Sequence, residues 1–266
     1  MRTATGTSYS EQPPLASRPA LRPLALPTEH GGWGFLFEPI VVGLAIAPSW
    51  GGILLALAFC FGFLTRQPLK LALQDLLRRK AYPRTRWCWL LAAGYATAGF
   101  AALALAVIVS GWIVLVPIAI VAPLGMTQIA FDARNRSRVL LPELGAAIAM
   151  TSSAAAIAIA GGFRLLPAIA ISGILVARAI PAILHVRTLI QRKHGRASSG
   201  WASITSHAVA VGAVALSSQP LIIGVFALLF ARAVWGLNQP VPAAKTIGWT
   251  EVVWGVVTVI AVAVSF

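Results

Sequence analysis

Seven ionisable residues within or near the ends of the apolar stretches of this 266-residue chain could support chemistry. They are Glu38, Glu143, Arg178, His185, His207, Arg232 and Glu251. Inside a bilayer an ionisable group is costly, so it usually faces the interior of a helix bundle or a wet cavity. Helical spacing from the nearest polar flanks places these groups at the midplane or in one half of the membrane. The pattern therefore predicts a polar cavity that opens to the cytoplasm.

A second interpretation of the same residues is structural and carries about equal weight. Glu38 and Glu143 could pair with Arg178 or Arg232 and hold helices together, as intramembrane polar contacts do. In that case the polar side chains would pair only with one another, and the protein would be a scaffold.

Metal and redox chemistry have no motif in the sequence. His30, His185, His194 and His207 are scattered without ligand spacing, and Cys60 and Cys88 form neither a CxxC nor a disulfide pattern. No glycine-rich phosphate loop or Ser/His/Asp set is present. The sequence predicts no metal site and no cofactor.

The elements that must position these residues are membrane helices. Hydrophobic residues make up 58% of the chain and charged residues 11%, and the mean hydropathy is +0.83. Soluble domains are about 25% charged. The composition therefore excludes soluble enzymes, disulfide scaffolds and disordered chains, and it predicts an all-α, polytopic membrane protein. The net charge of +14 fits cytoplasmic loops beside anionic head groups, so no nucleic-acid partner is expected.

Turn signals divide the apolar blocks into nine predicted spans. Residues 1–26 are predicted to form a disordered cytoplasmic tail, and residues 27–266 a single transmembrane helical domain. Leucines on one face of 68–79 predict a separate interfacial helix after the second span. The predicted spans are 31–48, 51–67, 87–109, 112–131, 139–160, 165–186, 201–217, 220–237 and 248–266.

The distribution of cations predicts the orientation. Twenty of the 21 Lys and Arg residues lie in the tail or on one side of the nine-span arrangement, and only Arg164 falls on the other. Lys and Arg concentrate in cytoplasmic loops. The chain is therefore expected in the cell (inner or plasma) membrane, with its N-terminus inside and its C-terminus outside.

Four motifs resemble those of the YwiC-like membrane proteins. The run from Pro27 to Gly34 (PTEHGGWG) resembles their Pro-x-Glu-His-Gly-x-Trp opening. Three weaker matches follow, and the resemblance covers most of 27–240. It implies an integral membrane protein without an assigned activity. The weaker matches are Thr65-Arg66-x-Pro68, Arg136-x-Arg138 followed by Glu143, and Ala177-Arg178 with Pro181.

A more distant resemblance is to the UbiA-type intramembrane prenyltransferases, which have nine helices and an inside N-terminus. The segment 131–145 is similar to one of their motifs, with Arg136, Pro142, Glu143 and Gly145 as approximate matches. Those enzymes hold Mg²⁺ with two Asp-rich motifs in the loops after helices two and six. Here Arg66 stands near the first position and Arg178 with His185 near the second, so Mg²⁺-dependent prenyl transfer is not expected.

Arginine binds phosphate and carboxylate directly through paired, charge-assisted hydrogen bonds. The sequence therefore predicts an arginine-lined cavity that binds an anionic lipid or an isoprenoid-like molecule, with membrane lipids as partners. Two alternatives remain open: a metal-independent, prenyltransferase-like enzyme with Glu29 or His30 as general base, and a small-molecule transporter. The predicted ligand-binding residues are Arg66, Arg178, His185, Arg232, Glu38, Glu143, Arg136 and Arg138.

Overall fold

The computed structural model describes residues 21–27, 30–137 and 139–266, and it contains helices and no strand within these ranges. A short helix, α1 (Arg22–Ala25), comes first, and a 3₁₀ turn, Trp112–Leu115, leads into α5. The longer helices are α2 (His30–Ile46), α3 (Trp50–Leu77), α4 (Thr85–Ser110), α5 (Val116–Ala133), α6 (Leu140–Ala160), α7 (Leu165–Lys193), α8 (Trp201–Ala215), α9 (Pro220–Leu237) and α10 (Ala244–Ser265).

Seven helices in the described ranges are long and apolar enough to cross a membrane, with the turn Trp112–Leu115 counted as part of the α5 span. Two further apolar helices, Gly31–Ile46 and Trp201–Ala215, are shorter. The protein is therefore an all-helical, multi-pass integral membrane protein, and this part of the prediction is confirmed. The predicted limits 220–237 coincide with α9, whereas α7 continues to Lys193, beyond the predicted end at 186.

Helix α3 is longer than the sequence pattern predicts. Ser49 caps its first turn by accepting a hydrogen bond from the Gly52 backbone N–H at 3.0 Å. The helix continues through Pro68 to Leu77, so the predicted surface helix is the end of α3 and not a separate element. Gln74 in this extension is buried and donates to the Asp132 carbonyl oxygen at 2.8 Å. That contact fixes the extension against α5.

The centre of the bundle is α6, in which every residue from Thr151 to Ile159 is buried. Seven of these nine side chains are Ala, Ser or Thr. In lipid there is little hydrophobic drive for helices to associate, so small side chains that allow close backbone packing matter most. Helices α2, α3, α5 and α7 pack around α6 for this reason.

The turns between helices gather at two ends of the bundle. At one end, which we call the neutral end, Gly161 packs directly against Ala47. At the other, which we call the basic end, Lys70 donates to the Ser137 hydroxyl at 2.8 Å. Consecutive long helices therefore run in alternating directions. The exposed Arg164 lies at the start of α7, on the neutral side.

The predicted tail is described only in part. Residues 1–20 lie outside the described ranges, while α1 places Leu24 against Ala72 of α3 and Cys88 of α4. Leu24 is buried in this small apolar cluster. Helix α1 is thus packed on α3 and α4.

Candidate functional site

Helices α2, α7, α8, α9 and α10 bring a group of ionisable side chains together, which we call the central cluster. Arg178 of α7 is its most buried arginine, with 4% of its surface exposed. It lies near the middle of its helix, about 20 Å from either end at 1.5 Å per residue. The cluster consists of Glu38, Arg178, His185, His207, Arg232 and Glu251.

Glu251 joins the two arginines of the cluster. Its Oε1 accepts a hydrogen bond from Arg232 Nη2 at 2.5 Å, and its Oε2 lies 3.4 Å from Arg178 Nη2. Arg178 Nη2 also donates to the Glu251 backbone oxygen at 3.1 Å. The Arg232 guanidinium lies 6.0 Å from the centroid of the Trp254 ring. One carboxylate on α10 thus ties together α7 and α9.

Two atoms of this ion-pair group keep unused hydrogen-bonding capacity. Among the described residues, neither Arg178 Nε nor Glu251 Oε2 has a hydrogen-bond partner, although both atoms are buried. A buried polar atom without a partner is uncommon, because it loses its hydration without compensation. The two atoms therefore mark a place where a polar group of a ligand or a water molecule could bind.

Glu38 lies beside this group because α10 approaches α2 closely. A Cβ atom at Gly255 would collide with the Glu38 carboxylate, so glycine lets the carboxylate lie directly against α10. Within the described part of the chain, Glu38 has no ion-pair partner within 4.0 Å and accepts no hydrogen bond. The expected pairing of Glu38 with Arg178 or Arg232 is therefore not a direct contact, and Glu251 takes that role.

The two histidines are connected through Ser203. Nδ1 of His207 lies 2.8 Å from the Ser203 carbonyl oxygen, and Nδ1 of His185 lies 3.0 Å from the Ser203 hydroxyl. Their rings meet edge to face with centroids 5.9 Å apart. Because a carbonyl oxygen only accepts, Nδ1 of His207 carries the hydrogen.

The central cluster borders a cavity of about 10 Å³, which is room for about one water molecule. Sites for drug-sized ligands are far larger, at about 300–1,000 Å³. The closed cavity therefore suits a single hydroxyl group or water molecule, and a larger head group requires the lining side chains to move. Its polar lining residues are Arg178, His207, Arg232 and Glu251, and its apolar lining includes Ala177, Pro181 and Phe226.

Arg66 lies elsewhere, in a second pocket between α3 and α5. Its Nε donates to Asp132 Oδ2 at 2.7 Å, and Gln128 donates to the other oxygen of that carboxylate at 2.9 Å. Lys70 also lines this second pocket, whose closed volume is about 10 Å³. The predicted single arginine-lined cavity is not confirmed, since the basic end of α3 packs against α5 while α7 packs against α8 and α10.

The remaining predicted site residues are spread over the basic end. Glu143 accepts a hydrogen bond from Arg187 at 2.5 Å, so its partner is neither Arg178 nor Arg232 as the structural interpretation expected. Arg136 is exposed. Three predicted sites, namely Glu29, Arg138 and the His30 side chain, lie outside the described residues.

Two buried aspartates were not among the predicted site residues. Asp132 lies two residues before Arg134, the first cation of the basic run 134–138, and an acidic residue beside this run was the signal that could have identified it. Asp75 accepts hydrogen bonds from Arg84 Nη2 at 2.9 Å and from the Thr85 hydroxyl at 2.8 Å. The hydrogen bond to Asp75 raises the pKa of Arg84 above the usual range.

In the described ranges, no three His, Cys, Asp or Glu side chains lie together as metal ligands would.

Comparison with known proteins gives a family match. A family model described as "YwiC-like protein" matches residues 26–159, which is half of the chain. No curated protein and no solved structure matches the chain. The matched region covers α2 to α6 and includes Glu38, Arg66 and Asp132, whereas Arg178, Arg232 and Glu251 lie beyond it.

Proposed function

The chain belongs to the YwiC-like family, and we propose that it is a membrane-embedded binding protein for an anionic amphiphile. The central cluster would hold the anionic head group of a lipid or an isoprenoid-like molecule. The observation that carries this proposal is Arg178, a buried guanidinium whose Nε has no partner among the described residues and which shares a pocket with Arg232. Arginine is the side chain best suited to direct, metal-free binding of phosphate or carboxylate.

The existing ion pairs define how such a ligand enters. Glu251 pairs with both Arg178 and Arg232, whereas Glu38 pairs with neither guanidinium. An incoming anion must therefore replace a carboxylate at one of the guanidinium groups. The pair to be opened is that of Glu251 with Arg232, because both side chains are partly exposed, while Glu251 stays beside the buried Arg178.

Mass spectrometry of lipids that co-purify in mild detergent tests the proposal. The wild type is expected to retain an anionic amphiphile, and Arg178→Gln and Arg232→Gln are expected to lose it. Arg164→Gln is the matched control, because Arg164 is an exposed arginine at the neutral end of the same α7 helix. The proposal is wrong if the wild type carries no such molecule, or if folded Arg178→Gln carries as much as the control.

The proposal includes a nine-span, UbiA-like topology with the N-terminus in the cytoplasm. Helices Gly31–Ile46 and Trp201–Ala215 extend about 24 and 22 Å, against a hydrocarbon core of about 30 Å. Both would cross only with local thinning of the bilayer or with help from their flanking residues. The alternation of neutral and basic ends, with the positive-inside rule, supports this orientation.

Cysteine labelling tests the orientation. In a chain whose native Cys60 and Cys88 are replaced by alanine, an impermeant maleimide should label Arg164→Cys on intact cells. It should label Arg196→Cys only after the membrane is opened. Both positions are exposed. The reverse pattern would contradict the proposed orientation.

Transport is a second candidate function, and the position of Glu38 favours it. This carboxylate lies in the apolar helix α2 beside the central cluster without an ion-pair partner among the described residues, and intramembrane carboxylates often mark ion pathways. Uptake of a labelled anion into proteoliposomes that is abolished by Glu38→Gln would favour transport over static binding.

An enzyme of the prenyltransferase type is the remaining alternative. It would use Glu29 or His30 as the general base and arginines to neutralise a diphosphate. Release of diphosphate from a labelled prenyl diphosphate in the presence of EDTA would demonstrate it. Glu29→Gln and His30→Gln should then remove the activity without removing binding.

A further inference from the structure

We infer that the head group bound by the central cluster carries a hydroxyl beside its negative charge, as a glycerol phosphate does, and that a bare diphosphate fits it poorly. This inference rests on the proposed function and specifies the class of head group. It follows from the hydrogen-bonding groups that the pocket presents.

The two atoms of the cluster that lack a hydrogen-bond partner within the described residues are of opposite kinds. Arg178 Nε is a donor and Glu251 Oε2 is an acceptor, and Oε2 lies 3.4 Å from Nη2 of the same guanidinium. A hydroxyl can accept from Nε while it donates to Oε2. A phosphate oxygen without a proton could only accept, and it would meet the Glu251 carboxylate as a like charge.

Two further acceptors lie in the residues that line the pocket. Pro181 has no N–H to donate to the Ala177 carbonyl one turn earlier in α7. His207 donates its Nδ1–H to the Ser203 carbonyl oxygen. In the neutral ring, Nε2 of His207 can therefore only accept a hydrogen bond. The lining thus offers three acceptors beside its two guanidinium groups. A ligand that brings both an anion and hydroxyl donors uses both kinds of group.

The size of the pocket limits what it can enclose. Its closed volume of about 10 Å³ has room for one hydroxyl oxygen but not for a phosphate group. The head group enters as the Arg232 and Glu251 side chains rotate apart, and an attached chain stays outside among the lipids. The same chemistry could come from a lipid or from a free polyol phosphate, so the experiment must separate these sources.

The experiment is a binding titration by native mass spectrometry, with the full-length, delipidated protein in mild detergent. The probes are phosphatidylglycerol, phosphatidic acid, farnesyl diphosphate and soluble glycerol 3-phosphate. Phosphatidylglycerol and phosphatidic acid both carry a phosphate, but only the first has free glycerol hydroxyls. We expect phosphatidylglycerol to bind about tenfold more tightly than phosphatidic acid or farnesyl diphosphate, because a hydrogen bond to a charged group contributes about that factor.

Variants separate the hydroxyl requirement from anion binding. Glu251→Gln removes the charged acceptor, so the preference for phosphatidylglycerol over phosphatidic acid should fall to about twofold or less. His207→Phe removes another acceptor and serves as an independent variant should Glu251→Gln fail to fold. Arg164→Gln should retain the wild-type preference.

The outcomes distinguish the two proposals. If phosphatidic acid or farnesyl diphosphate binds the wild type as tightly as phosphatidylglycerol, and Arg178→Gln loses all of them, the hydroxyl inference fails and the proposed function stands. A water molecule would then account for the two unpartnered atoms. If Arg178→Gln binds every probe as the wild type does, the proposed function fails. Binding of glycerol 3-phosphate without phosphatidylglycerol would support the hydroxyl requirement and overturn the lipid ligand.

Discussion

Replacing Asp132 with asparagine tests whether Arg66 is a structural ion-pair partner rather than a ligand-binding group. The Asp132 side chain is 2% exposed, and it accepts hydrogen bonds from Arg66 Nε at 2.7 Å and from Gln128 at 2.9 Å. Asparagine keeps nearly the same shape but carries no charge. The variant therefore leaves the Arg66 guanidinium facing a neutral amide.

The expected cost follows from burial. Removing one partner of a buried ion pair typically destabilises a protein by about 3–5 kcal/mol. The Arg66 side chain retains 21% exposure, and asparagine can still accept one hydrogen bond, so a value near the lower limit, about 3 kcal/mol, is expected. Glu143→Gln provides the matched comparison. Its pair with Arg187 is 31% and 39% exposed, and exposed pairs contribute about 0–1 kcal/mol.

The assay is reversible unfolding in mixed micelles of a mild detergent and a denaturing one, followed by circular dichroism. The free energy of unfolding should fall by about 3 kcal/mol for Asp132→Asn and by less than 1 kcal/mol for Glu143→Gln. Equal losses in the two variants would refute the reasoning, because the Asp132 pair is more buried and Asp132 accepts more hydrogen bonds. An Asp132→Asn protein that is as stable as the wild type would also refute this reasoning.

Two further changes probe the packing of the bundle. Gly255→Ala should lower the free energy of unfolding by about 1 kcal/mol, the lower limit for overpacking, because the new methyl group displaces the flexible end of Glu38. Gly248→Ala on the same helix has no atom within 4 Å of the new Cβ, so thermal unfolding of that variant should match the wild type. Ser49→Ala removes the hydrogen bond to Gly52 at the start of α3 and should cost about 1 kcal/mol in the same denaturation assay. An unchanged unfolding free energy would show that the cap contributes nothing.

The sequence predicted the helical elements well because their signals are local. Apolar length, and turn residues such as Pro48 and Ser49, depend only on neighbouring positions, and the predicted 220–237 span coincides with α9. The YwiC-like resemblance was also visible in the sequence, since it rests on the short run 27–34, and the family match confirms it. Helix α3 was predicted too short, because the packing of Gln74 against Asp132 joins residues far apart in the chain.

The partners of the charged residues required the tertiary structure. Composition and spacing showed that Arg66, Arg178 and Arg232 are costly in a membrane, but not which carboxylate each one meets. Asp132 reaches Arg66 and Glu251 reaches Arg178 and Arg232 only because particular helix faces pack together. The sequence by itself thus determined a multi-pass helical protein and its candidate ionisable residues. The tertiary structure decided their division between two pockets, because ion pairing depends on distance in space and not on separation along the chain.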